Sequence, residues 1–302
     1  MQIKKLKPGD CVGITAPAKR IDFKEITYAI EVFESWGLEV KLGKTIGTGE
    51  YLFSGTDEER AKDFQTMLND EDIDVIFSAR GGYGCARIID LIDFSGLSKN
   101  PKWLVGFSDF TVIHNHLFQK FKLPTLHASM PVFFKENTDA ALQSVYNVLF
   151  NQKINYQVNS AFPELCIDGE TEAEVIGGNL SVIYSLLGSS SGLKRGKYIL
   201  FLEDLAEYFY HVDRMMQNLK RNNLFTDLAG VIIGNFTDMK DGALPFGKNP
   251  YEIIFDYFKH KNIPVFTGFP AGHSSDNRAI IFGEKLYFKV INGKCFLKSI
   301  DF

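Results

Sequence analysis

Ser108 lies in "WLVGFSDFTVIHNHLF", where an apolar run ends and an amphipathic helical pattern begins, so one small hydroxyl occupies the corner between two rigid elements. Serine suits the N-cap of a helix, because its oxygen can accept an orphan backbone N–H. Asp109, as first helical residue, would then suit the positive end of the helix dipole. A strand–serine–helix corner is also the geometry of a nucleophile elbow, which lifts Oγ above a sheet and aims the next backbone N–H at a developing oxyanion. The usual G-x-S-x-G is incomplete, since Gly106 is present but Phe110 stands at the second glycine. On spacing alone the cap is the better reading.

A nucleophilic serine needs a base, and the base an orienting group. Of the six histidines, His273 in "GFPAGHSSDN" is in a Gly/Pro/Ser-rich loop after an apolar run, where catalytic groups are often carried. His127, at the end of "PTLH", is the rival, while His211 and His260 fall in helical patterns. His114 and His116, two apart on a helix, face different directions and read as surface or partly buried residues rather than joint metal ligands. Glu203, ending the strand-like "KYILFLED", is the candidate orienter, and it could equally cap the next helix. Asp204 would face the other side of that strand, and Glu207 is a further alternative.

The run "SARGGYGCAR" sets Gly81, Gly82 and Gly84 between a strand and a helix. Such glycines allow φ > 0 and bring bare N–H groups close to a ligand, although a plain tight turn needs some of the same freedom. Two tempting phosphate motifs fail. "LGKT" at Leu42 lacks the required glycine at position 38, and "GTGEYL" at Gly47 lacks the third glycine of a dinucleotide fingerprint.

The elements that must position these groups alternate in the first half: strand-like "CVGITAPA", "LEVKL", "IDVIFSAR" and "WLVGFS" with helical patterns over 23–36, 57–68, 85–92 and 110–121. That alternation predicts βαβ units and a parallel sheet, with ligands beyond the carboxyl ends of the strands. Between about Phe150 and Thr171 the periodicity weakens, which places a linker over 156–169 between an N-terminal α/β domain, 1–155, and a smaller, β-rich C-terminal α/β domain, 170–302. In the second half helices are expected at "GGNLSVIYSLLG", 208–219 and 251–261, and strands at "KYILFLED", "AGVIIGNF" and "PVFTGFP". The alternating "AIIFGEKLYFKV" suits an antiparallel edge or small barrel.

A chain of 302 residues favours two domains, and with 45% hydrophobic residues it can bury a sizeable core. Its net charge of −4, without like-charge runs, argues against nucleic acid or an anionic membrane as partner. Cys11, Cys85, Cys166 and Cys295 are widely spaced and read as reduced thiols, and the N-terminal apolar run is too short for a signal or a membrane span, so a cytoplasmic protein is expected.

Six blocks, "LKPGDCVGITAPA", "ARGGYGCARIID", "LVGFSDFTVIH", "IGGNLSVIYSLLG", "ILFLEDLAEYFYHVDRMMQNLK" and "GFPAGHSSDN", together resemble the LD-carboxypeptidase family of serine peptidases, which includes murein tetrapeptide carboxypeptidases and microcin C self-immunity peptidases. The resemblance implies a Ser-Glu-His triad, matched by Ser108, Glu203 and His273, with oxyanion donors at the backbone of Asp109 and of Gly82. It implies a homodimer without metal or other cofactor, acting in the cytoplasm on peptides recycled from the cell wall. One departure is that "SSDNRAIIFGEKL" lacks the proline that family members carry before the final glycine. Arg80 is a candidate for the substrate's terminal carboxylate, against a structural ion pair, and Tyr83 is a second substrate-binding candidate. Two rival readings stand: an immunity-type peptidase cleaving an aminoacyl-nucleotide conjugate, and a small-molecule binding protein of two lobes.

Overall fold

The computed structural model describes residues 3–151 and 153–300. Chain order runs β1 (Cys11–Thr15), α1 (Thr27–Ser35), β2 (Glu39–Leu42), α2 (Asp57–Asn69), β3 (Ile73–Ser78), α3 (Cys85–Ile88), β4 (Trp103–Gly106), α4 (Thr111–Phe121), β5 (Thr125–His127) and α5 (Asp139–Tyr146). The second half adds β6 (Asn155–Asn159), β7 (Gly169–Asn179), α6 (Leu180–Leu186), β8 (Ile199–Leu205), α7 (Phe209–Arg221), β9 (Gly230–Thr237), α8 (Pro250–Asp256), β10 (Val265–Thr267), β11 (Ile280–Phe282), β12 (Lys285–Ile291) and β13 (Lys294–Ser299).

The first sheet has the order β11-β5-β4-β3-β1-β2, parallel from β5 to β2 and closed at one edge by antiparallel β11. Strand order therefore reverses between β1 and β3, and the crevice beyond their carboxyl ends is where a parallel sheet of this kind accepts a ligand. The loops leaving those strands meet there: a Cβ on Gly82 would lie 2.7 Å from the Cβ of Lys19, and one on Gly84 2.7 Å from the Cα of Ala18. The "GGYG" turn is glycine-rich because two loops pack at the switch point.

The second sheet, β10-β9-β8-β7-β12-β13-β6, is parallel from β10 to β7 and antiparallel beyond. β7 serves both parts, pairing through Gly169–Glu174 with β12 and through Val175–Asn179 with β8. The first glycines of "GGNLSVIYSLLG" are strand rather than helix. A Cβ at Gly177 would fall 1.9 Å from the Phe201 carbonyl oxygen, and one at Gly178 2.4 Å from Thr111 Oγ1, so neither position has room for a side chain. Asn179 then caps α6, accepting from Val182 N. The stretch expected to lack periodic structure holds β6 and the start of β7. Two other helices are also broken: 23–36 is a 3-10 turn followed by α1, and 85–92 is one α turn followed by a 3-10 turn.

The halves share one core. Phe77 and Leu126 of the first sheet and Phe201, Ile232 and Phe288 of the second belong to a single cluster of fully buried side chains. A second cluster under α2 and α4 includes Phe64, Phe94 and Phe110. Burying an aromatic of this size contributes about 1.5–3 kcal/mol each, so the two sheets are held against one another by the same force that holds each together.

Candidate active site

Ser108 leaves the end of β4 with φ of +61°, a left-handed conformation that non-glycine residues rarely adopt. It opens a 3-10 turn, Ser108–Phe110, that runs into α4. Its Oγ is not a helix cap, because neither the 3-10 turn nor α4 has a side-chain cap hydrogen bond. The missing glycine has a local cause. The Phe110 ring covers Gly106 so closely that a Cβ there would lie 2.6 Å from it, so a glycine at 106 makes room for an aromatic at 110. His114 Nε2 meets the Gly106 carbonyl at 2.9 Å and its Nδ1 meets Thr125 Oγ1 at 2.7 Å, tying the strand end to α4. Burial, opposed by the Gly106 carbonyl, pushes this imidazole down to about 4. His116 is also buried, with Nδ1 2.8 Å from Ser191 Oγ. Neither histidine is a surface residue, which corrects the expectation for the pair.

Across from Ser108 is Gly81, where a Cβ would come within 2.9 Å of the serine Cβ and 3.0 Å of its Oγ. Gly82, the expected oxyanion donor, is the next residue and touches Lys19. Asp109 links the elbow to this turn: its buried carboxylate accepts from Cys85 N at 2.8 Å, at the start of α3. Burial pushes the Asp109 carboxyl up, against the lowering effect of that hydrogen bond. Fully buried Arg60 braces the same turn, donating to the Pro17 and Gly84 carbonyls and pairing with Asp57. Neither bracing contact was legible in the residue pattern.

His273 Nδ1 lies 2.7 Å from Glu203 Oε2. Glu203 is fully buried near the end of β8, where the ladder with β9 shifts register between Leu202 and Asp204. Gly272, at φ of +118°, permits the approach, since a Cβ there would lie 2.9 Å from Glu203. Burial pulls the His273 imidazole down, but the charge and hydrogen bond of Glu203, with Asp204 behind, outweigh it and leave the group raised. Asp204 does face the other way, accepting from Asn179 Nδ2 and Ser181 N at 2.8 Å each. Burial, then repulsion from Glu203, lifts it to about 7.

The two halves of the site meet through Phe107, whose ring centroid is 4.8 Å from that of His273. The His273 loop is pinned to the first half where Thr138 N and Asn137 Nδ2 each donate to the Ser275 carbonyl at 3.0 Å. His127, the rival base, is fully buried among Phe201, Phe282 and Phe107, and burial drives it well below the usual imidazole range. Glu207 pairs with His211 rather than His273. His260 lies in a turn beyond α8 rather than in a helix. Arg80 donates to the Arg20 carbonyl at 3.1 Å and stands 3.8 Å from Glu25, the structural ion pair weighed against a substrate role. Tyr83 is half exposed, its ring 5.8 Å from Phe53.

A strained serine at a strand-to-helix corner, a glycine turn against it and a buried His–carboxylate pair are the parts a serine hydrolase of the peptidase type requires. The N-terminal domain model of the LD-carboxypeptidases matches residues 12–128, and the C-terminal domain model residues 172–288. The chain belongs to the LD-carboxypeptidase family. It is 34% identical to a probable murein peptide carboxypeptidase of Bacillus subtilis (strain 168), over 93% of this chain and 89% of that one. It is 27% identical to the microcin C7 self-immunity protein MccF of Escherichia coli, over 93% and 91%. Among solved structures, the muramoyltetrapeptide carboxypeptidase from Oxalobacter formigenes superposes with a TM-score of 0.87 at 25% identity, covering 97% of this chain and 99% of that one.

Proposed function

We propose that this protein is a serine carboxypeptidase that removes the C-terminal D-alanine from murein tetrapeptides during cell-wall recycling. The observation that carries the reading is the 2.7 Å His273–Glu203 pair, with His273 packed against Phe107, the residue that precedes Ser108. Ser108 Oγ attacks the carbonyl that joins an L-configured centre to D-alanine. His273 takes the serine proton at Nε2, because Nδ1 is held by Glu203, and returns it to the leaving amine. Water then resolves the acyl-enzyme by the same route. Backbone N–H groups of Gly82 and Asp109 receive the oxyanion, each worth on the order of 10²–10³ in rate. Asp109 therefore has two roles: its N–H faces the reaction while its carboxylate holds the turn that carries the other donor.

Two units, 1–155 and 170–302, each supply part of this machinery, so their packing gates turnover. We place the enzyme in the cytoplasm as a homodimer, a setting that suits four unpaired cysteines. The decisive experiment is incubation with a purified murein tetrapeptide followed by mass spectrometry. Loss of one alanine supports the reading. An intact tetrapeptide together with a cleaved aminoacyl-nucleotide conjugate moves the substrate to that of the immunity peptidases.

A further inference from the structure

Two buried polar atoms beside the His273–Glu203 pair have no partner among the described residues, and they are complementary. Glu203 Oε2 meets His273 Nδ1, while Glu203 Oε1 is buried and accepts from nothing. Asn277 is 1% exposed, and its Oδ1 accepts from Gly272 N at 2.9 Å. That contact closes the loop carrying His273 and fixes which end of the amide is oxygen, because a backbone N–H needs an acceptor. Asn277 Nδ2, a donor, is then buried without an acceptor. Orphaned buried atoms are uncommon and costly. These two adjoin the same residue: Gly272 binds Asn277 through its N–H and lies so close to Glu203 that a Cβ on it would be 2.9 Å from Oε2. The chain after Asn277 is fixed, since Arg278 N donates to the Pro270 carbonyl at 2.9 Å and Ala279 N to Ser144 Oγ at 2.8 Å.

We propose that Asn277 is a positioning residue for the triad: its Nδ2 donates to Glu203 Oε1, directly or through one bound water, and holds the carboxylate turned so that Oε2 faces His273. The inference rests on the carboxypeptidase reading and adds a fourth side chain to it. A carboxylate gripped at one oxygen can still rotate about its last bond, whereas a second contact on the other oxygen fixes its plane. The other titratable groups near this point do not supply that contact. Asp204 repels Glu203, His127 beyond Phe107 is kept neutral by burial, and Arg278 is closed on Asp276 at 3.0 Å.

Asn277→Asp separates this role from a merely structural one. Aspartate keeps an oxygen for Gly272 N, so the loop stays closed, but its contact with Glu203 now depends on a proton. Two carboxyl groups so placed share one proton: with it the variant donates to Oε1 as asparagine does, and without it the two repel. The ratio of variant to wild-type kcat/KM on murein tetrapeptide should therefore fall about 10-fold or more between about pH 5 and pH 9, the scale of one hydrogen bond to a charged group. The loss should lie in kcat, with KM little changed. A ratio constant over that range in the folded variant overturns the positioning role. Should Asn277→Asp fail to fold, NMR of the wild-type and Glu203→Gln proteins decides instead. One Asn277 Nδ2 proton should lie downfield of the other in wild-type protein and move upfield in Glu203→Gln, and equal positions in the two proteins overturn the role. If wild-type protein releases no alanine, the carboxypeptidase reading falls by itself, and the same NMR comparison still decides whether Asn277 holds Glu203.

Discussion

Two histidine–carboxylate pairs sit a short way apart in this chain. His273 and Glu203 are 2.7 Å apart, and His211 and Glu207 2.5 Å. By distance they are equivalent, and by surroundings they are not. Glu203 is wholly buried and its partner nearly so, whereas His211, in the first turn of α7, and Glu207, just before that helix, are each about a quarter exposed. The first pair bridges residues 70 apart and abuts the serine elbow through Phe107, while the second is a local i,i+4 contact next to Tyr184. A pair at the surface contributes little because water screens it, whereas a buried carboxylate orders its imidazole strongly. Proximity to a carboxylate is thus no sufficient sign of a catalytic histidine; burial of the carboxylate and the adjacent serine elbow are what separate the two and what favour the role proposed for His273.

The sharpest way to break this contrast is to remove each imidazole. His273→Ala should cost on the order of 10⁴-fold or more in kcat, and His211→Ala less than about twofold. Glu203→Gln should follow His273→Ala closely, and Glu207→Gln should follow His211→Ala. Next in size is Gly81→Ala, whose methyl group would press on Ser108 Oγ and shift the turn. A loss on the order of 10²–10³ in kcat is expected, with the Glu203–His273 pair intact. The contrast also has a pH signature. Because Glu203 and Asp204 hold His273 above its ordinary value of 6.5, the acid limb of kcat/KM should lie above 6.5, and the limb should shift toward acid in Glu203→Gln.

The smallest effect concerns stability. Asp204 is raised to about 7 from 3.8, so the folded chain keeps a proton that the unfolded chain releases in that window. Its contribution to stability therefore falls as pH rises from about 4 to 7, and Asp204→Asn should flatten this part of a Tm–pH profile by a few degrees.

Much of the fold was legible as residue type and order, whereas residue type alone favoured a helix cap for Ser108, and the six-block resemblance is what singled out the triad proposed here. Strand runs alternating with helical periods marked the first sheet, and Ser108, Glu203 and His273 stood at the ends of apolar runs, where a parallel sheet presents its ligands. What stayed hidden was tertiary. Whether Ser108 caps a helix or stands strained at an elbow depends on its φ of +61°, which spacing does not encode. β7 carries a half-exposed polar half where it pairs with antiparallel β12 and a glycine half because it passes under Phe201 and Thr111, so no single period runs through it. Gly81, rather than Gly82, touches the serine, a choice made by the packing of two loops. Asp109 looked like a helix-dipole residue, and only the fold shows its carboxylate gripping Cys85 N.

The central claim, that Ser108 is the nucleophile served by the buried pair, is tested most directly by turnover of a murein tetrapeptide by folded Ser108→Ala protein. Wild-type melting behaviour together with no alanine released above background is the predicted result. Undiminished release of alanine from the same folded protein would contradict it.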